Sequence, residues 1–237
     1  MKVEIWSDIM CPFCYLGKHH YEAALSEFPD RRYVETVWKS FQLDPGIPRH
    51  APATDTYTYL SERKGFSVDQ ARQMTGNLAE TAGREGIVMN FDKTVVANTF
   101  DAHRLIHLAQ SKGLGSEAEE SLFKAHFEEG EDVSAPGTLA GLGESLGLKR
   151  DEVSEALDSG QYTEEVNSDI REAVHLGVRG VPFFVFNRKY AVSGAQPKDV
   201  FLKTLERAFS EWRAEQPESA FQTVAEGPVC DPETGCD

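Results

Sequence analysis

Two cysteines separated by a proline and a phenylalanine, Cys11-Pro12-Phe13-Cys14, are the residues of this chain best suited to chemistry. A pair at this spacing can exchange electrons with a disulfide, supply half of a zinc site or staple a loop. The flanking pattern separates these uses. Val3 to Ile9 alternates like a strand and runs into Cys11. Pro12 suits a first helical turn, where its missing N–H costs nothing. Leu16, His19, His20, Ala23, Ala24 and Phe28 then recur at helical spacing. Cys11 is thus predicted at a helix N-terminus, where unpaired N–H groups and the helix dipole favour negative charge. That favours the thiolate, the form that attacks disulfides. Cys14, one turn later, points inward within disulfide reach and resolves the mixed disulfide formed on Cys11. Phe13 carries no charge, so the dipeptide adds little beyond the helix end. Lys18, His19 and His20 lie too far along the helix to be given a role.

The other uses fit less well. Zinc needs two more ligands, and the remaining cysteines, Cys230 and Cys236, are spaced more widely than zinc pairs usually are. No metal is expected. An inert structural pair is disfavoured because a strand-to-helix junction exposes its thiols. A non-catalytic zinc-binding or chaperone module is the reading from another class, which metal content would test.

The elements that must hold the pair follow from periodicity. After the first strand and helix, "PDRR" stops the helix and "YVETVWKSFQL" reads as a second strand. "DPGIPRHAPAT" is a proline-rich connector. Residues 55 to about 172 carry almost no strand signal and break into helices punctuated by glycine and led by capping residues. "VPFFVFNRKYAVSGAQP" returns to strand character around an Asn-Arg-Lys turn, and "PKDVFLKTLERAFSEW" is a last amphipathic helix. The order β-α-β, helical block, β-β-α predicts an α/β thioredoxin fold interrupted by an α-helical insertion. The expected parts are 1–45 with 173–212, an insertion over 46–172, and a tail over 213–237.

In such a fold the residue before a strand-opening proline faces the cysteine pair. Pro182 cannot donate to a sheet ladder and belongs at a strand start. The Val181-Pro182 bond is expected cis, presenting the Val181 backbone to an extended substrate. Asn98 is expected to cap a helix on which His103 and His107 share a face; for His103 a capped core helix with a satisfied histidine is the plainer reading.

With 237 residues, 40% of them hydrophobic, the chain can bury a sizeable core. A net charge of −15 argues against nucleic acid or an anionic membrane as partner. No run of eighteen apolar residues offers a membrane span, and the N-terminus lacks the pattern of a signal peptide. A cytoplasmic location is expected, where a close cysteine pair is more often redox-active or metal-binding than structural.

"CPFCYLG" early, "NTFDAHRLIHLA" in the middle and "GVRGVPFFVFNRKYAVSGAQP" late resemble the DsbA family, specifically its FrnE-like branch of cytoplasmic oxidoreductases. The similarity runs from residue 1 to about 212. It implies thiol–disulfide exchange on protein thiols, disulfides or glutathione, with no cofactor beyond a thiol electron partner. By position, Cys11 matches the nucleophile, Cys14 the resolving cysteine, and Pro182 the cis-proline with Val181 before it. The resemblance also implies that the helix carrying His103 borders the active-site groove. Periplasmic members have a signal peptide and a histidine in the dipeptide. This chain has neither, which favours reductase or isomerase behaviour over strong oxidation. The 2-hydroxychromene-2-carboxylate isomerases resemble the same architecture, so a glutathione-dependent isomerase or transferase is the alternative; those typically carry serine at the position of Cys11.

"PVCDPETGCD" places Cys230 and Cys236 in a short Pro/Gly-containing segment, where closing a disulfide loop costs little entropy. Some FrnE-like proteins resemble this chain in having a second, C-terminal cysteine pair. That implies an auxiliary redox pair exchanging electrons with Cys11 and Cys14.

Overall fold

Four strands form one sheet, and the first of them is central. A computed structural model describes residues 1–49, 52–215, 230–231 and 235–236. The strands β1 (Lys2–Ser7) and β2 (Glu35–Ser40) pair in parallel, Val3 opposite Thr36 and Ser7 opposite Ser40. On its other side β1 pairs antiparallel with a later strand, Phe183–Phe186, which pairs in turn with Tyr190–Ser193. Between these halves come β3 (Thr54–Asp55) and β4 (Val95–Val96), a two-residue antiparallel ladder in a region that otherwise folds as expected into helices. The late strands are therefore β5 and β6, and the sheet order is β2-β1-β5-β6.

The helix α1 (Pro12–Glu27) follows β1 and packs against the last helix, Lys198–Glu215. The helices between are α2 (Thr56–Lys64), α3 (Val68–Gly83), α4 (Phe100–Gln110), α5 (Gly115–Phe123), α6 (Pro136–Ser145), α7 (Arg150–Ser159) and α8 (Thr163–His175). The last helix is α9. A π-helical turn, Lys124–Glu129, continues α5. The stretch from Arg150 to His175 looks continuous in periodicity but is broken at Gly160, whose φ of 77° ends α7 in the left-handed region that glycine tolerates.

The strand β1 alternates in composition but is buried on both faces. Val3 and Ile5 join Tyr21, Phe184, Phe186 and Phe201 in the core under α1 and α9. Trp6 faces the other way, against Ala173, Val178 and Val185, and its indole N–H donates to the Asp169 carbonyl at 3.0 Å. Glu4, also on that face, is paired with Arg188. The insertion shares this core rather than owning one: Leu105, Leu122, Leu139 and Val153 lie in the same buried cluster as Val3 and Phe184.

Side-chain donors and acceptors from the insertion also close the free edge of β2. Gln110 Oε1 accepts from the Trp38 N–H at 2.8 Å, and Asp169 Oδ2 from the Ser40 N–H at 3.0 Å. An edge strand whose N–H groups are taken offers little to a passing strand. No helix among the described residues is long and apolar enough to cross a membrane.

In the tail, Cys230–Asp231 (β7) and Gly235–Cys236 (β8) pair antiparallel with Cys230 opposite Cys236. Residues opposed in such a ladder have Cα atoms about 4.5–5.5 Å apart, inside the range from which disulfides are built. The side chains of both cysteines lie outside the described part of the structure.

Candidate active site: a cysteine pair at the start of α1

The chain turns sharply out of β1, the Cys11 N–H donating to the Asp8 carbonyl at 3.0 Å, and α1 begins at once. Cys11 is the N-cap residue with extended backbone (φ −93°, ψ 108°), and Pro12 occupies the first helical position, as the sequence predicts. The Cys14 N–H donates to the Cys11 carbonyl at 2.9 Å, which sets both thiols on one turn. Both are free.

Val181-Pro182 is cis. Val181 faces the pair, and the Cys11 thiol donates to the Val181 carbonyl at 3.6 Å. The approach depends on Gly17: a Cβ there would stand 2.9 Å from Pro182 Cγ and 3.3 Å from the Phe184 ring. Glycine one turn beyond Cys14 is what lets the proline loop rest on α1.

The sequence suggests exposed thiols, and the structure corrects this. Cys11 is only 4% exposed and Cys14 is fully buried. The cause is the insertion, which walls the pair with Met89, Phe91, Phe123 and Phe127, together with Tyr15 from α1. Phe13, 50% exposed, is the open part of the motif. Burial pushes the Cys14 thiol well above its ordinary value, and its contact with Cys11 adds to this; the Asp8 backbone and the Ser7 hydroxyl pull weakly the other way. Cys14 therefore waits as a neutral thiol.

Of the residues along α1, His19 is exposed, not on the apolar stripe, and Tyr21 occupies the core. Lys18 is buried instead. Burial would pull its ammonium down, yet bonds to Glu22 (2.8 Å) and Glu120 (2.7 Å) hold it above its ordinary value.

His103 does not line an open groove. It is 1% exposed, behind the pair, with Nε2 3.5 Å from Asp8 Oδ1 and without a hydrogen-bond partner for that nitrogen. It is a core histidine, but not a satisfied one. His107, one turn on, is separate: its Nε2 lies 3.1 Å from Asp169 Oδ2 and 3.2 Å from Ser40 Oγ. Asn98 acts one residue before the formal cap, Thr99, its Oδ1 accepting from the Phe100 N–H at 2.9 Å.

Sequence reasoning missed four buried polar residues: Ser7 and Asp8, beside Cys14, and Glu119 and His126, which face Asp8. A signal existed for Glu119 and His126, which share an i, i+3, i+4, i+7 stripe with Leu122 and Phe123. Burial lowers His126 to about 4. Between about pH 6.5 and pH 4 the unfolded chain therefore protonates this histidine and the folded chain does not. Stability should fall by about 3 kcal/mol as pH drops through that window. In urea unfolding across that range, His126→Gln should lose correspondingly less than the parent; parallel pH curves would remove the assignment.

Comparison with known proteins agrees with this architecture. The profile of the family described as DSBA-like thioredoxin domain matches residues 2–206. The probable DsbA oxidoreductase SCO1869 from Streptomyces coelicolor is 38% identical, with 100% of this chain and 98% of that chain covered and a TM-score of 0.83. A 2-hydroxychromene-2-carboxylate isomerase shares the fold at 17% identity (TM-score 0.66, covering 92% of this chain and 100% of that one). So does the cytosolic disulfide reductase DsbM from Pseudomonas aeruginosa at 19% identity (TM-score 0.60, covering 89% and 100%). A profile match running from β1 into α9 around the Cys11–Cys14 turn places the chain in the DSBA-like thioredoxin domain family, with a DsbA-like thiol–disulfide oxidoreductase fold.

Proposed function

We propose that the protein is a cytoplasmic, FrnE-like protein disulfide reductase or isomerase, working by thiol–disulfide exchange. Cys11 attacks or is attacked, Cys14 resolves, and the Val181 backbone holds the partner chain. The observation that carries this is the contact of the Cys11 thiol with the Val181 carbonyl at 3.6 Å, with Cys14 behind it. A sulfur lying against a main-chain acceptor is where an extended segment bearing a disulfide is brought into line for attack.

Electrons come from glutathione or another small thiol. The opposed tail positions Cys230 and Cys236 act as a second pair that exchanges with Cys11 and Cys14. Replacing both by Ser should leave the fold intact and slow regeneration by the thiol donor. Unchanged turnover, regeneration and mixed-disulfide pattern would remove the relay.

The isomerase neighbour gives a second reading, glutathione-dependent isomerisation or transfer. Two assays separate them: reduction of insulin disulfides with glutathione as donor, and conjugation or isomerisation of a small electrophile by glutathione. Insulin reduction without conjugation is the expected result, and the reverse outcome would sink the oxidoreductase reading. The Cys11–Cys14 potential against glutathione separates the two directions: near or below the cytosolic poise means a reductase, and far above it an oxidant or isomerase.

A further inference from the structure

The buried polar atoms behind Cys14 form an incomplete set. Ser7 Oγ, Asp8 Oδ1, His103 Nε2, both carboxyl oxygens of Glu119 and His126 Nδ1 are all sealed from solvent and complete no hydrogen bond. They converge from the end of β1, from α4, from α5 and from the π-helical turn. Unpartnered buried polar groups are costly, so a cluster of them beside a reactive sulfur calls for a use.

The resolving step supplies one. Cys14 is neutral at rest, and it must lose a proton before it can attack the Cys11 mixed disulfide. That proton cannot go to bulk water, because Cys14 is fully buried. The Ser7 hydroxyl neighbours both the Cys14 thiol and the Glu119 carboxyl, with neither hydrogen bond completed at rest, so the path closes when these side chains turn toward one another. We propose that Glu119 is the proton acceptor for Cys14, reached through the Ser7 hydroxyl.

Geometry and charge favour Glu119 over its neighbours. Asp8 is already engaged, Oδ2 accepting from the Leu43 N–H at 2.7 Å and Oδ1 facing His103. Burial opposes a proton on His103, yet Asp8 and Glu119 hold it above its ordinary value, so it arrives loaded. His126 is a weak base here, lowered by burial despite Asp8 and Asp132. Glu119 is faced by Ser7 and Asp8 from the end of β1, His103 from α4 and Lys18 from α1. Burial raises it and Asp8 raises it further, while Ser7, His103 and Lys18 restrain the rise, leaving it at about 7. An acid poised there takes and returns a proton near neutrality.

The step balances. Cys14 S–H gives its proton to the Ser7 oxygen as Ser7 gives its own to Glu119. The Cys14 thiolate bonds to Cys11 Sγ, the bond from Cys11 to the partner sulfur breaks, and that sulfur leaves as a thiolate. Cys11 and Cys14 end as a disulfide, two electrons having passed to the partner. Glu119 is left as a neutral acid and does not touch sulfur.

This rests on the exchange reaction proposed above, and the test tells the two apart. In a Cys230→Ser/Cys236→Ser background, reduced protein is mixed with the aromatic disulfide 5,5′-dithiobis(2-nitrobenzoate). Attack by Cys11 releases the first thionitrobenzoate, and attack by Cys14 on the mixed disulfide releases the second. Glu119→Gln should leave the first release unchanged. It should slow the second about tenfold or more at pH 7, and remove the rise of the second release with pH that a buried carboxylate acceptor gives the parent. Ser7→Ala should slow the second release as well. In the parent protein, infrared difference spectra between oxidised and reduced forms should show a buried carboxyl band that Glu119→Gln removes, a readout open even if a variant folds poorly. Equal second releases from pH 6 to 8, or a redox-silent carboxyl region, would overturn the assignment. Absence of the first release in the parent would instead overturn the exchange reaction itself.

Discussion

Replacing Cys11 by Ser should bring disulfide reduction to background, a loss of about 10³-fold or more. Among the described thiols it is that of Cys11 that donates to the Val181 carbonyl, the proposed docking edge for the partner chain, while Cys14 lies more deeply buried. Cys14→Ser should fail differently. Cys11 still attacks, but nothing behind it breaks the resulting bond, so mixed disulfides accumulate. Non-reducing electrophoresis and mass spectrometry of protein incubated with insulin should show adducts through Cys11 in Cys14→Ser and few in Cys11→Ser. Equal adduct levels would show that the two roles are assigned wrongly. The walled position of the pair sharpens this expectation: a serine at position 14 is held among Tyr15, Phe123 and Phe127, where water has little access to hydrolyse or exchange the trapped bond.

The second large effect concerns stability. Arg104, 3% exposed, spends its guanidinium on the end of α7. Its Nε donates to the Gln161 carbonyl at 2.7 Å, Nη1 to the Leu157 carbonyl at 3.0 Å and to Asp101 at 2.7 Å, and Nη2 to the Ala156 carbonyl. A cation at a helix C-terminus meets the negative end of the dipole; the Ala156 carbonyl also accepts from the Gly160 and Gln161 N–H groups, so the guanidinium matters most to the carbonyls of Leu157 and Gln161. Arg104→Met should fill the volume yet leave the Leu157 and Gln161 carbonyls without their guanidinium donor and Asp101 without its buried cation, costing about 3–5 kcal/mol. Arg104→Lys should recover little, because an ammonium lacks the planar fork that reaches several oxygens at once. Urea midpoints of the three proteins measure this, and a loss below about 1 kcal/mol for Arg104→Met would contradict it. Disulfide exchange per folded molecule should change little, since the Arg104 guanidinium bonds to Asp101 and the end of α7 rather than to the cysteine turn.

The cysteine turn was legible in the sequence because it is local. A strand ending at Cys11, a proline at the first helical position and a helical stripe behind it lie within one short segment, and each follows from backbone sterics and periodicity. The β-α-β and β-β-α halves were legible for the same reason, as was Pro182 at a strand start, since a residue without an N–H has few places in a sheet. Tertiary structure decided what lies around the sulfurs. Exposure of Cys11 could not be read from its place on α1, because Met89, Phe91, Phe123 and Phe127 arrive from far along the chain to cover it. His103 looked like a satisfied core residue, yet its partner across the core, Asp8, meets it at 3.5 Å without completing a bond. Glu119 reads locally as one more charge on a helix rich in glutamate. Only the packing of α5 under the end of β1 turns that residue inward, and burial then raises it to about 7. Local pattern fixes which way a chain runs and where it turns; the dielectric and the neighbours that set a proton's home are sums over segments distant in sequence, and they exist only once the insertion has closed on the sheet.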